Sequence, residues 1–387
     1  YEFDPRWYDF EPKACEAPNV WKRIGEDKWV LMYDVYSVIP HNFAFIETSD
    51  FVNFKNLGRF NEGVMKTTNF TTPKHGAVIH LTMEEAERLE SYWQKNKRKY
   101  VSTASIRKNP VLPGFYADPE VMYSEKTGRY YIYPTTDGIL NWGSTAFKAF
   151  SSDDLVNWKE EGVILDLKDV SWAKKNAWAP CIIEKKQADG NYKYYYYYTA
   201  EQQIGVAVAD SPTGPFIDSG TPLIDKVRPG GMSKGQNIDP DVFTDPVSGK
   251  TYLYWGNYYM AVCELNEDMV SIKPNTTKIL IDNDAYYSEA AHVFYRNGYY
   301  YFTWSKNDTR SPEYQVRYVR AKSPVDPIDA SKSEVILCKK PEQGIFGTGH
   351  HSVLPLPGKD EWRIVYHRFK FPDAVTMGRN AGFHREV

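Results

Sequence analysis

Three acidic residues stand apart from the surface Asp and Glu of the 387-residue chain by the company they keep. Asp118 lies in Gly114-Phe115-Tyr116-Ala117-Asp118-Pro119-Glu120-Val121. Asp239 lies in Asn237-Ile238-Asp239-Pro240-Asp241-Val242-Phe243. Glu289 lies in Tyr286-Tyr287-Ser288-Glu289-Ala290-Ala291-His292-Val293-Phe294. Taken singly, each is as well read as a solvated or turn residue, since Asp-Pro is a common turn starter. Taken together, they admit a specific chemistry. Like charges that converge push one carboxyl's pKa up, so that one stays protonated near neutral pH while another stays ionised. Cleavage of a glycosidic bond needs that division: an acid protonates the leaving oxygen, and a carboxylate activates water or attacks the anomeric carbon.

Such convergence requires elements that repeat. Gly-containing turns lead into aromatic strands at Thr127-Gly128-Arg129, Asp189-Gly190-Asn191, Ser248-Gly249-Lys250 and Asn297-Gly298, and Lys359-Asp360 does the same. The strands that follow are Tyr130 to Tyr133, Tyr192 to Tyr198, Tyr252 to Trp255, Tyr299 to Trp304 and Trp362 to Tyr366. Turn chemistry and period-2 patterning make each a β-hairpin. Their starts lie about 45 to 65 residues apart. A lone sheet of that size cannot bury both faces, whereas radial stacking can, so the pattern predicts an all-β, five-bladed β-propeller over 106–387. Each acid stands just before a hairpin, where a blade's innermost strand would line the central channel. One confident helix runs from Thr82 to about Lys99. It has a Thr82/Glu85 capping box and an apolar face of Leu89, Tyr92 and Trp93, and it links residues 1–81 to the propeller through 82–105.

Composition narrows the partners. Net charge is −3, which argues against nucleic acid or an anionic membrane surface, and no apolar run is long enough to span a bilayer. Aromatic residues make up 16%, with 30 Tyr and 11 Trp, which suits sheets and surfaces that meet both the C–H faces and the hydroxyls of sugars. Cys15, Cys181, Cys263 and Cys338 have no metal-finger spacing and read as buried free thiols. Asn69, Asn275 and Asn307 begin glycosylation sequons. The chain starts at Tyr1, consistent with a removed leader or a trimmed chain, and a secreted, periplasmic or cell-surface location is expected rather than a cytoplasmic one.

The motifs resemble glycoside hydrolase family 43, the five-bladed arabinofuranosidases, xylosidases and arabinanases, over roughly 108–387. Asn109 to Pro119 is similar to the family's opening strand, Ser151 to Trp158 and Ala177-Trp178-Ala179-Pro180 to its strand signatures, Ile238 to Phe243 to its second acid, Ser288 to His292 to its general acid and Gly347 to Ser352 to its last channel motif. The resemblance implies Asp118 as base, Glu289 as acid and Asp239 as the residue that raises the pKa of Glu289 and orients it. It also implies inversion, with about 6.5–9.5 Å between the carboxyls of Asp118 and Glu289. No cofactor is needed for the chemistry. His350 would sit at the channel floor near a structural calcium or sodium ion or a water. Trp142 and Trp178 are candidates to wall the pocket for the terminal sugar, with core packing as the other reading, and Arg379 is a candidate to bind a sugar hydroxyl.

Residues 1–81 echo this pattern. Ala14 to Lys22 resembles Tyr287 to Tyr295, Ser49 to Phe54 resembles Ser152 to Trp158, and His75 to Ile79 resembles His350 to Leu354. Glu16 to His75 spans 59 positions, and Glu289 to His350 spans 61. The segment therefore reads as two degenerate blades of a second propeller, a piece of a longer tandem chain, with Glu16 and His75 not forming a working site. The leading expectation is release of terminal arabinofuranosyl or xylosyl residues from plant-type oligo- or polysaccharides. A non-catalytic carbohydrate-binding propeller is the alternative, disfavoured because a binder has no reason to keep three mutually repelling carboxyls. A retaining furanosidase is the third, disfavoured by the Ile-Asp-Pro and Glu-Ala-Ala-His contexts.

Overall fold

The structure is a computed structural model that describes residues 16–35, 42–60, 76–100, 109–370 and 385–387, with residues 42 and 93–100 described by backbone alone. The chain divides into two compact units, Tyr1–Lys99 and Tyr100–Val387.

In the second unit, the expected turns each join the first two strands of an antiparallel sheet. The sheets follow in chain order. The first holds β5 (Tyr116–Ser124), β6 (Arg129–Thr136), β7 (Ala146–Ser152) and β8 (Lys159–Asp166). The second holds β9 (Trp178–Lys186), β10 (Tyr192–Ala200), β11 (Gln203–Ala209) and β12 (Ile217–Asp218). The third holds β13 (Asp241–Thr244), β14 (Thr251–Trp255), β15 (Tyr259–Glu264) and β16 (Lys278–Asp282). The fourth holds β17 (Glu289–Arg296), β18 (Tyr299–Lys306), β19 (Gln315–Ala321) and β20 (Glu334–Leu337). The fifth holds β21 (Gly349–Pro355), β22 (Trp362–Phe369) and β23 (Arg385–Glu386). These are the five blades of a β-propeller, with β5, β9, β13, β17 and β21 neighbouring one another innermost.

The tyrosine run of β10 shows how a blade buries two faces. Alternate side chains point opposite ways. Tyr194, Tyr196 and Tyr198 pack with Tyr131, Tyr133 and Phe147 of the first blade. Tyr195 and Tyr197 pack with Leu253, Trp255 and Tyr259 of the third. Each such aromatic contributes about 1.5–3 kcal/mol by burial, provided its polar tip finds a partner. Tyr133 donates to Pro212 O at 2.8 Å, Tyr197 to Met269 O at 2.6 Å and Tyr198 to Asp218 Oδ1 at 2.6 Å.

Hydrogen bonds from blade to blade tie the inner strands together. The amides of Ala179 and Asp239 donate to Thr135 and Thr199, that of His350 to Ser305, and that of Asp118 to Nδ1 of His367. Three residues further out, Val242 N donates to Cys181, Val293 N to Asp241, Val353 N to His292 and Val121 N to Ser352. Ser352 and His367 belong to the fifth blade and their donors to the first, so the seam between the propeller's first and last blades is held by the same contacts as the others.

The first unit has one four-stranded sheet, β1 (Glu16–Lys22), β2 (Trp29–Val35), β3 (Asn42–Thr48) and β4 (Lys55–Arg59), apolar on both faces. Its Asn19 accepts a hydrogen bond from Val78 N at 2.9 Å. Of the expected second blade, residues 61–75 lie outside the described residues. Helix α1 (Met83–Tyr100) starts with the anticipated capping box: Glu85 N donates to Thr82 Oγ1 at 3.1 Å, and Thr82 N donates to Glu85 Oε2 at 2.8 Å. Leu89 and Tyr92, expected on its apolar face, are exposed. Among the described residues, no helix is long and apolar enough to cross a membrane. Cys181 and Cys263 are buried free thiols as expected, but Cys338 is exposed directly after β20, and Cys15 lies outside the described residues.

Candidate active site

One backbone device sets the innermost residue of every blade. The register of β5, β9, β17 and β21 slips by a bulge where the strand enters the channel. At those four points, and just ahead of β13 where no bulge occurs, φ is positive: 49° at Asp118, 39° at Ala179, 60° at Asp239, 61° at Ala290 and 40° at His350. Such φ values are uncommon for residues with a Cβ and persist only where the surroundings fix them; here the blade-to-blade amide bonds do so. The bulge turns its residue, or the one before it, into the axial hole.

There a cavity of about 500 Å³ opens, lined by Asp118, Asp239, Glu289, His350, Trp142 and Trp178 among others. All the acids, the histidine and both tryptophans singled out in the sequence thus meet in one well, while Arg379 lies outside the described residues. Trp142 is also tied to its neighbours: its carbonyl accepts from Trp178 Nε1 at 2.7 Å and from Asn176 Nδ2 at 3.1 Å. Its side chain packs against Phe369, as does that of Phe346, so packing and pocket roles coexist in this residue.

The carboxyls are treated differently by their surroundings. Burial alone would raise Asp118, but His350, Arg385 and His367 outweigh it and hold this carboxyl well below the usual carboxylate range. His350 Nδ1 lies 3.1 Å from Oδ1, His367 Nδ1 3.2 Å and Arg385 Nη1 3.7 Å. Burial pushes both imidazoles toward the neutral form, His367 to about 4, so the lasting cation beside Asp118 is Arg385. Arg385 is fixed in turn by Asp137 at 2.8 Å and by Thr309 at 2.9 Å. Asp239 and Glu289 shift the other way. Burial is the first cause for both, and neighbouring carboxylates add to it. The two carboxyls therefore hold on to a proton to higher pH than separated, solvated carboxyls do. Asp239 also accepts the Ala290 amide at 3.1 Å, which anchors the strand that carries Glu289. The carboxyl of Glu289 accepts from Tyr314 Oη at 2.8 Å on one oxygen and from Asn257 Nδ2 at 2.8 Å on the other.

Beneath lies a second tier. His292 pairs with Asp241 at 2.9 Å, and burial pushes Glu120 up to about 8. Among the described residues, no three His, Cys, Asp or Glu side chains come together as a metal-holding group. His350 turns Nδ1 to Asp118, and His351 engages Thr303 at 2.8 Å, so side chains of the protein orient both rings and a cation is not needed for that. No step below uses one.

Sequence reading missed Arg385, His367, Tyr314 and Asn257. The one signal for Arg385 was a charged residue inside the final strand-like stretch; Tyr314 and Asn257 lie in loops with no motif.

The profile of glycosyl hydrolases family 43 matches residues 107–386. The chain is 33% identical over 289 residues to a beta-D-galactofuranosidase of Aspergillus niger, covering 72% of this chain and 81% of that protein. It is 29% identical to a xylosidase/arabinosidase of Bacteroides ovatus, covering 67% and 88%. Among solved structures, an alpha-L-arabinofuranosidase from Clostridium thermocellum matches with a TM-score of 0.54 and 29% identity over 65% of this chain and 82% of that one. A thermostable family-43 glycoside hydrolase matches with a TM-score of 0.57 and 28% identity, over 72% and 91%.

Proposed function

The chain belongs to glycosyl hydrolases family 43 and is a glycosidase, and from that premise we propose that it removes terminal arabinofuranosyl or xylosyl residues from plant-type polysaccharides or oligosaccharides with inversion. One observation carries the reading: a single well brings together Asp118, whose carboxyl is held low beside Arg385, and the buried Asp239 and Glu289, whose carboxyls are pushed up. In the reaction Asp118 takes a proton from water as the water oxygen bonds to the anomeric carbon. Glu289 gives its proton to the leaving oxygen as the glycosidic bond breaks. Asp118 ends protonated and Glu289 ionised, and exchange with solvent restores both. Asp239 orients Glu289 through the Ala290 amide and shares the proton of the pair. Trp142 and Trp178 offer aromatic faces to the sugar ring.

The galactofuranosidase relative supports a second reading, a hexofuranoside in the same well. The added hydroxymethyl group gives discrimination of only about 1–3 kcal/mol, so both sugars need testing. A panel of nitrophenyl arabinofuranosides, xylosides and galactofuranosides, with Asp118→Asn as control because a nitrophenolate leaves without help from the acid, decides. Release of arabinose or xylose by the wild type alone supports the proposal. Preference for galactofuranoside moves it to the second reading, and no release of any sugar refutes both.

A further inference from the structure

We infer that Tyr314 and Asn257 form a two-donor clamp that positions Glu289, and that Tyr314 also links the placement of this acid to that of the base. The inference rests on Glu289 being the general acid. Tyr314 Oη donates to one carboxyl oxygen and Asn257 Nδ2 to the other, each at 2.8 Å. Two donors on two oxygens fix both the position and the plane of the carboxyl that faces the well. The phenol remains a donor throughout, because burial and the nearby Glu289 hold its pKa well above the ordinary value. The clamp also opposes the burial that raises Glu289, since donors to a carboxylate favour its ionised form.

The Tyr314 ring lies nearly parallel to the His367 imidazole, at 8° and 5.7 Å between centroids. His367 Nδ1 in turn receives the Asp118 amide at 3.1 Å. One rigid stack thus runs from the acid to the base. Gly349 makes room for it: a Cβ there would stand 2.2 Å from Cε1 of Tyr314. This gives the Gly347-Thr348-Gly349-His350 motif a steric purpose separate from its histidine. The charged and titratable groups that act on Glu289 besides Tyr314 are Asp118, Asp239, Arg385, Arg310 and Tyr287.

The test compares two substrates of one sugar, a disaccharide and an aryl glycoside whose nitrophenolate leaves without protonation. Tyr314→Phe keeps the stacked ring and removes only the donor. The acid must be protonated to act, and loss of a donor raises its pKa, so the alkaline limb of kcat/KM moves up by about one pH unit. On the disaccharide kcat falls about tenfold with KM little changed, and on the aryl glycoside it stays within about twofold. Asn257→Ala gives the same pattern and stands in should Tyr314→Phe not fold; Gly349→Ala gives it through displacement of the ring. An alkaline limb and a disaccharide/aryl ratio that stay at wild-type values in the folded variants overturn the clamp. If Glu289→Gln itself cleaves the disaccharide at the wild-type rate, the acid assignment fails instead; if that variant is dead while Tyr314→Phe and Asn257→Ala behave as wild type, only the clamp fails.

Discussion

The sheet of the first unit and the seam between blades four and five use the same local devices, yet only one of them carries a well. Both have a bulge just after a glutamate, at Glu16 and at Glu289, with positive φ on the next residue, 50° at Ala17 and 61° at Ala290. Both pass a hydrogen bond to the following segment, Val78 N to Asn19 at 2.9 Å and Val353 N to His292 at 3.1 Å. A third device pairs the first unit with the first blade. Asp50 accepts from Val52 N and Asn53 N at 2.8 and 2.7 Å, and Asp154 accepts from Val156 N and Asn157 N at 2.9 and 2.7 Å. What differs is who meets the glutamate. Across the strand pair Glu16 faces Asp34, and Glu289 faces Ser305. Glu289 then meets Asp239 and Asn257 from the third blade, the latter in the loop between β14 and β15, Tyr314 from its own blade and the charges of Asp118 and Arg385 from the first and last strands of the propeller. Short-range sequence builds a blade; chemistry needs several blades facing one hole.

The largest expected difference between the two regions is catalytic. Glu289→Gln lowers kcat on a disaccharide by about 10²–10⁴, whereas Glu16→Gln leaves it unchanged in the same steady-state assay. Equal losses in both variants break the comparison. The next effect is on pH. Asp118 works ionised and its folded pKa is depressed, so activity is lost as pH falls through that pKa. Removing the adjacent cation in Arg385→Gln brings the acidic limb of kcat/KM up by about 1–2 pH units. Arg23→Gln, which breaks the Arg23–Glu47 pair of the first unit at 2.7 Å, moves neither limb. The smallest effect is on stability. Ser352→Ala strands the buried Val121 amide at the closing seam and costs about 1–3 kcal/mol in urea unfolding. Asn19→Ala removes the corresponding contact at a half-buried site and costs less than about 1 kcal/mol.

The parts of this architecture legible in the sequence are those encoded over a few residues. Gly128 and Gly190 take the positive φ their turns demand, 69° and 85°. Alternation in β10 sends its tyrosines to two neighbouring blades. Asp118-Pro119 and Glu289 mark bulges, Asp239-Pro240 marks the same positive φ, and the Thr82/Glu85 box marks a helix start. Residues defined by closure of the ring escaped. Arg385 reaches Asp118 across 267 positions, because the last strand lies beside the first blade. Tyr314 and Asn257 come from loops whose direction no period records. Cys338 was misjudged because a thiol's usual burial says nothing about the end of one edge strand. Leu89 and Tyr92 mark a stripe on the helix, and a stripe does not say what, if anything, covers it.

The account turns on Asp118 acting through water while Glu289 protonates the leaving oxygen from the other side of the sugar. Proton NMR of the first anomer released from a terminal arabinofuranoside or xyloside, followed before mutarotation, tests this directly. The account predicts that the first product has the configuration opposite to the substrate. A first product of unchanged configuration would mean that a carboxylate had bonded to the sugar, and would contradict it.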